Sequence, residues 1–209
     1  AYHLDLPGAA GGFLGVGIFF TLSGYLITDQ LIAQWQNTGR IDVKSFWRRR
    51  LQRIMPAVLF LLLIIYLWLA SFDRPRLGAF ASESVSVLLC FSNWWQIFHK
   101  VSYFESFGPP SPIGHLWSLG IEAQFYLLWP IVVSILLHFK PRRGRLIFLT
   151  FLGSAASITA MALIYRPGAD PSRVYYGTDT RLFALLIGAM FAVAFPSRGS
   201  QSRLSVPSF

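Results

Sequence analysis

The sequence predicts an all-α fold, a polytopic transmembrane helical bundle of five to six apolar segments, one of them re-entrant or interfacial. Three observations predict it. Of 209 residues, 54% are apolar and only 13% charged, about half the charged share of a soluble domain. Apolar runs of near-spanning length recur along the whole chain. Basic residues gather in some of the segments between runs and are balanced by acids in the others. The same composition excludes a disordered tail, a disulfide-rich secreted domain and most soluble enzymes. The lone Cys90 excludes an intrachain disulfide and any cysteine-based metal site.

The runs fall at about 11–33, 54–72, 77–98, 116–139, 146–165 and 181–195. In the first, Gly8 with Gly12 and Gly11 with Gly15 form small-xxx-small pairs, which predict close helix packing. They are not a phosphate loop, because neither GxGxxG nor GK[ST] is present. Segment 34–53 sets Arg40, Lys44, Arg48, Arg49, Arg50 and Arg53 against Asp42 alone, and KPRRGR at 140–145 carries four bases and no acid. The tail from Pro196 adds Arg198 and Arg203, whereas loops 73–83, 99–115 and 166–180 each balance to zero. The basic segments are therefore expected on the cytoplasmic side and the neutral loops outside. This distribution accounts for the net charge of +9 without nucleic acid, since a nucleic-acid-binding face is not cut up by membrane spans. Three runs lie between the two basic loops, so one of them must fail to cross. Run 77–98 is the candidate, interrupted by Ser82, Glu83, Ser84, Ser86, Ser92 and Asn93.

Polar groups in or beside spans are costly, which makes each a functional candidate. His3 precedes the glycine-rich turn and reads either as a surface histidine or as a base. Glu122 sits in the aromatic HLWSLGIEAQFYLLWP segment and needs a partner, either a structural Arg or His or a functional one. Gln124 on the same helix both donates and accepts. Arg48, Arg49, Arg50 and Arg53 cluster before a span. They suit a multiply charged phosphate, and equally a purely topological role against anionic lipid. Tyr175, Tyr176, Asp179 and Arg181 gather in VYYGTDTR, where tyrosines also favour membrane interfaces. No HExxH, GxSxG or convincing metal cluster is present, so no metal site is expected.

Four segments in order, GGFLGVGIFFTLSGYLIT, GRIDVKSFWRRRLQRIMPA, HLWSLGIEAQFYLLWP and YYGTDTRLFALLIGA, resemble the membrane acyltransferase 3 family, of the OafA/OatA-like O-acetyltransferase type. The resemblance implies transfer of an acyl group, usually acetyl, from cytoplasmic acyl-CoA to a hydroxyl of a cell-envelope glycan such as peptidoglycan or lipopolysaccharide. It implies His3 as the essential histidine, and a plasma-membrane location. No permanently bound cofactor is implied; acetyl-CoA is the donor. Arg48, Arg49, Arg50 and Arg53 would take the CoA end, Glu122 would orient His3 or an arginine, and Tyr176, or else Tyr175, would relay the acyl group or receive the acceptor.

Residues 1–195 are expected to form part of the acyltransferase membrane domain and 196–209 a polar tail or linker. The chain opens at Ala1 without Met or a signal peptide, and reads as the inside of a longer protein. The family's first helix, with an arginine about eleven residues before the histidine, is expected upstream, and further helices downstream, sometimes with a fused or separate SGNH domain. A multi-pass transporter or channel subunit, and an inactive fragment of an acyltransferase, are the competing readings.

Overall fold

A computed structural model describes residues 14–104, 111–139 and 143–197. Among them every regular element is helical: α1 (Leu14–Thr38), α2 (Val43–Phe72), α3 (Leu77–Leu88), α4 (Ser92–Phe98), α5 (Trp117–Phe139), α6 (Arg143–Ile164), α7 (Ser172–Tyr176) and α8 (Thr178–Ala194). Four stretches are long and apolar enough to cross a membrane: Gly15–Thr38, Val43–Phe72, Gly114–Phe139 and Arg143–Ile164. Their outward faces carry large apolar side chains such as Phe60, Leu63, Trp68 and Phe151, as lipid requires.

Neither half of run 77–98 is long enough to cross by itself. The run breaks into α3 and α4, of 12 and 7 residues, or about 18 and 10 Å against a hydrocarbon core of about 30 Å. The break is a turn in which Cys90 takes φ +60° and the Phe91 amide donates to the Ser86 carbonyl. The polar residues that interrupt the run in sequence become the ones that α3 and α4 bury, namely Glu83, Ser86, Ser92, Asn93 and Gln96.

Helix α2 is capped by Asp42, whose carboxylate accepts from the Ser45 amide at 3.0 Å. Its 30 residues give a length of about 45 Å, so the arginine-rich first turns extend beyond an apolar stretch that alone suffices to span. The helix stops at Asp73, which pairs with Arg76 at 3.7 Å, before Pro75. The helix dipole would prefer acids in the first turn of α2, and none is there.

The chain divides into two compact units. One comprises the chain up to Ile41, Leu128–Ile164 and the chain from Asp179; the other comprises Asp42–Leu127 and Tyr165–Thr178. In the first, α1 and α8 meet backbone to backbone at Gly24 and Gly188. A Cβ on Gly24 would collide with the Leu185 carbonyl, and one on Gly188 with the Thr21 carbonyl. Trp129 Nε1 donates to Thr28 Oγ1 at 2.8 Å, and the Tyr25 hydroxyl donates to the Phe195 carbonyl at 3.1 Å. Among the described residues nothing packs closely on Gly15, where a Cβ would meet no atom within 4 Å. Gly8, Gly11 and Gly12 lie outside the described residues. In the second unit, α2 packs on α3 and the segment before α5 through Val58, Leu62, Leu69, Phe80, Val87 and Ile113.

Candidate active site

The second unit contains a cavity of about 590 Å³ between α2, the α3–α4 turn and the first half of α5. Periodicity builds it. Just before α5 Leu116, and on α5 Leu119, Gly120, Ala123, Gln124 and Leu127, recur at helical spacing and share the cavity face. Helix α2 contributes Trp47, Arg50, Leu51, Ile54 and Met55. The two helices run antiparallel here, because Trp47 Nε1 donates to the Tyr126 carbonyl at 3.1 Å while Ile54, Leu119 and Leu116 pack against one and the same buried cluster.

One charge lines this apolar space. The Arg50 guanidinium lies 5.6 Å from the ring centres of both Phe46 and Tyr126, within cation–π range. The Tyr126 hydroxyl donates to Glu122 Oε1 at 3.0 Å. Glu122 itself is 4% exposed and does not line the cavity. The two expected site residues thus meet on opposite parts of one tyrosine. Arg48, Arg49 and Arg53 are exposed and line no part of the cavity, so the structure separates Arg50 from the other three. His3 lies outside the described residues.

A closed polar network backs the cavity wall. Asn93 Nδ2 donates to the Tyr176 carbonyl at 3.0 Å and to Thr178 Oγ1 at 2.9 Å. Thr178 Oγ1 donates to Gln124 Oε1 at 2.6 Å, and Gln124 Nε2 donates to Asn93 Oδ1 at 3.0 Å and to the Cys90 carbonyl at 2.9 Å. Gly120 leaves room for this network, since a Cβ there would stand 3.0 Å from Asn93 Oδ1 and Ser92 Oγ. The Asn93 part was not expected from sequence, although a fully buried asparagine amid an apolar run was itself the signal.

Tyr176 joins this network through its backbone, and its ring lies in an aromatic cluster with Tyr103, Trp117 and Tyr175. Burial, reinforced by the neighbouring Tyr103 and Asp170, pushes its phenol up, so it stays protonated at neutral pH. Beside the cluster, burial alone would raise the Asp170 carboxyl. Hydrogen bonds from the Ser172 side chain and backbone and from Ser102 instead hold it below the ordinary value. On α3, burial pushes Glu83 up, opposed by the hydroxyl of Ser111, which donates to Glu83 Oε2. Among the described residues no group of three His, Cys, Asp or Glu side chains is placed to hold a metal ion.

Comparison with known proteins gives these residues a lineage. The putative peptidoglycan O-acetyltransferase YrhL of Bacillus subtilis (strain 168) is 47% identical over 204 residues, 97% of this chain and 32% of that protein. The peptidoglycan O-acetyltransferase OatA of Listeria monocytogenes serovar 1/2a is 45% identical over 196 residues, 94% of this chain and 32% of its own length. The O-acetyltransferase OatA of Staphylococcus aureus (strain NCTC 8325 / PS 47) is likewise 45% identical over 196 residues, 93% of this chain and 32% of that protein. The chain therefore spans about a third of the length of these relatives. No solved structure matches it. The model of the acyltransferase domain matches residues 2–208, and the chain belongs to that acyltransferase family.

Proposed function

We propose that the protein containing this chain is a plasma-membrane O-acetyltransferase. It moves an acetyl group from acyl-CoA at the basic, cytoplasmic face to a hydroxyl of peptidoglycan. The observation that carries this reading is the extent of the likeness: nearly the whole chain is alike to proteins named for peptidoglycan O-acetylation. Those names favour peptidoglycan over lipopolysaccharide as the acceptor. A fused or separate SGNH domain is the partner we propose on the outer side.

The chemistry assigns roles to the expected residues. The acceptor hydroxyl attacks the thioester carbonyl, a C–O bond forms and the C–S bond breaks. In this reading neutral His3 takes the hydroxyl proton and returns it to the departing CoA thiolate. Exposed Arg48, Arg49 and Arg53 are available to the phosphates of the donor, and Arg50 adds positive potential on the same turns. Glu122 acts through Tyr126 to hold Arg50 in place. Tyr176 belongs to the acceptor-side aromatic wall, where it relays the acyl group or receives the acceptor.

The test is acetyl transfer by membranes carrying the full-length protein, supplied with labelled acetyl-CoA and peptidoglycan. Base-labile acetyl esters on muropeptides, with release of the CoA thiol, are expected. Membranes that consume no acetyl-CoA yet carry a solute flux would replace this reading with the transporter one.

A further inference from the structure

We propose that the cavity of the second unit binds an anionic phospholipid, with one hydrocarbon chain lying along α5 and the phosphate at the Arg50 guanidinium. The inference is independent of acyl transfer.

The shape and the depth both fit a chain. Between Leu116 and Leu127 the cavity follows α5 for about 16 Å, and α2 and α5 are both span-length helices, so lipid is at hand at this depth. The walls are aliphatic and aromatic apart from a few polar groups, most of which are already engaged. Trp47 Nε1 donates to the Tyr126 carbonyl, the Tyr126 hydroxyl donates to Glu122, and both ends of the Gln124 amide are bonded within the network. A ligand rich in amides or hydroxyls, such as a pantetheine arm or a sugar, would bury its polar groups there without partners. A hydrocarbon chain loses nothing. Arg50, the one charge on the lining, stands at the end where α2 enters, with exposed Arg49 and Arg53 on the same turns. That arrangement matches an anionic headgroup at the membrane surface.

The chain's single thiol, Cys90, lines the same cavity and reports on it. The experiment measures alkylation of Cys90 by a membrane-permeant maleimide at alkaline pH, because burial raises that thiol. It uses the full-length protein, with any other cysteine replaced by serine, in phosphatidylglycerol or phosphatidylcholine vesicles. Phosphatidylglycerol is expected to slow alkylation about fivefold more than phosphatidylcholine does, the worth of one arginine near an anionic surface. Arg50→Gln should bring the two lipids level, and Ala123→Phe, which fills the cavity, should remove protection by either. Equal rates for the wild-type chain in the two lipids overturn the proposal, as does a preference that survives Arg50→Gln. Protection of Cys90 by excess acetyl-CoA in phosphatidylcholine vesicles, as strong as that given by phosphatidylglycerol, would assign the site to the nucleotide donor and also overturn it. Should Ala123→Phe fail to fold, the wild-type comparison decides alone.

Discussion

Tyr126 donates its phenol hydroxyl to Glu122 Oε1 at 3.0 Å, and the same ring carries the Arg50 guanidinium. Tyr126→Phe keeps the ring and removes the donor from a buried carboxyl. The expected cost is about 1–3 kcal/mol of stability, read as a lower melting temperature of the full-length protein in detergent. Glu122→Gln in the same background should cost less than it does alone, because the two residues share one interaction. Strict additivity would show that the bond contributes nothing.

Gly24 and Gly188 predict a steric effect. Gly24→Ala places a methyl group against the Leu185 carbonyl, so α1 and α8 must separate. A loss of at least about 1–3 kcal/mol is expected, visible as faster proteolysis and a lower melting temperature. Gly15→Ala, with open space around it, should be neutral.

Glu83 and Asp170 predict opposite pH dependences. Burial raises the Glu83 carboxyl, so its neutral form is favoured in the fold. The stability this contributes is present below the ordinary value near 4.5 and is lost as pH rises through the raised value. Asp170 is held below its ordinary 3.8, so its contribution is present above that value and is lost as pH falls through the lowered one. Glu83→Gln should flatten the fall in melting temperature as pH rises through the raised Glu83 value, and Asp170→Asn should flatten the fall as pH drops on the acid side. A curve unchanged in both variants would contradict the two assignments.

Asn93, itself fully buried, closes the polar network. Asn93→Ala removes the donor to the Tyr176 carbonyl and the acceptor for Gln124. A loss of about 2 kcal/mol or more is expected, with helical content retained by circular dichroism and melting shifted down.

The donor-site assignment is tested by kinetics. The double substitution Arg49→Gln and Arg53→Gln should raise KM for acetyl-CoA and leave kcat near its starting value, and the effect should shrink as salt is added. His3→Ala should instead lower kcat by about a hundredfold or more. A change confined to kcat in the arginine variant would remove those side chains from donor binding.

The apolar runs were legible because each helix needs a contiguous stretch of a particular length. The broken run was legible because Glu83, Ser86 and Asn93 are too costly to leave facing lipid. The site was legible only in its ingredients. Arg50 and Glu122 were named from sequence, but nothing local reveals that Tyr126 joins them, or that Arg50 turns away from Arg48, Arg49 and Arg53. Asn93 meets Thr178 across 85 positions, and no periodicity carries information over that distance. Glycines mislead for the same reason. The spacing of Gly11 and Gly15 is a pattern within one helix, whereas the approach of Gly24 to α8 depends on a second helix far along the chain.

The length of α2 has a bearing on regulation. A helix of about 45 Å seated in an oil layer of about 30 Å works as a depth gauge, whose arginine turns mark where hydrocarbon gives way to water. In a thicker bilayer the same turns are drawn towards the headgroups, and in a thinner one they stand further out into water. Bilayer composition thereby becomes a variable that sets how far these arginines stand from the hydrocarbon, with no change in any residue of the protein.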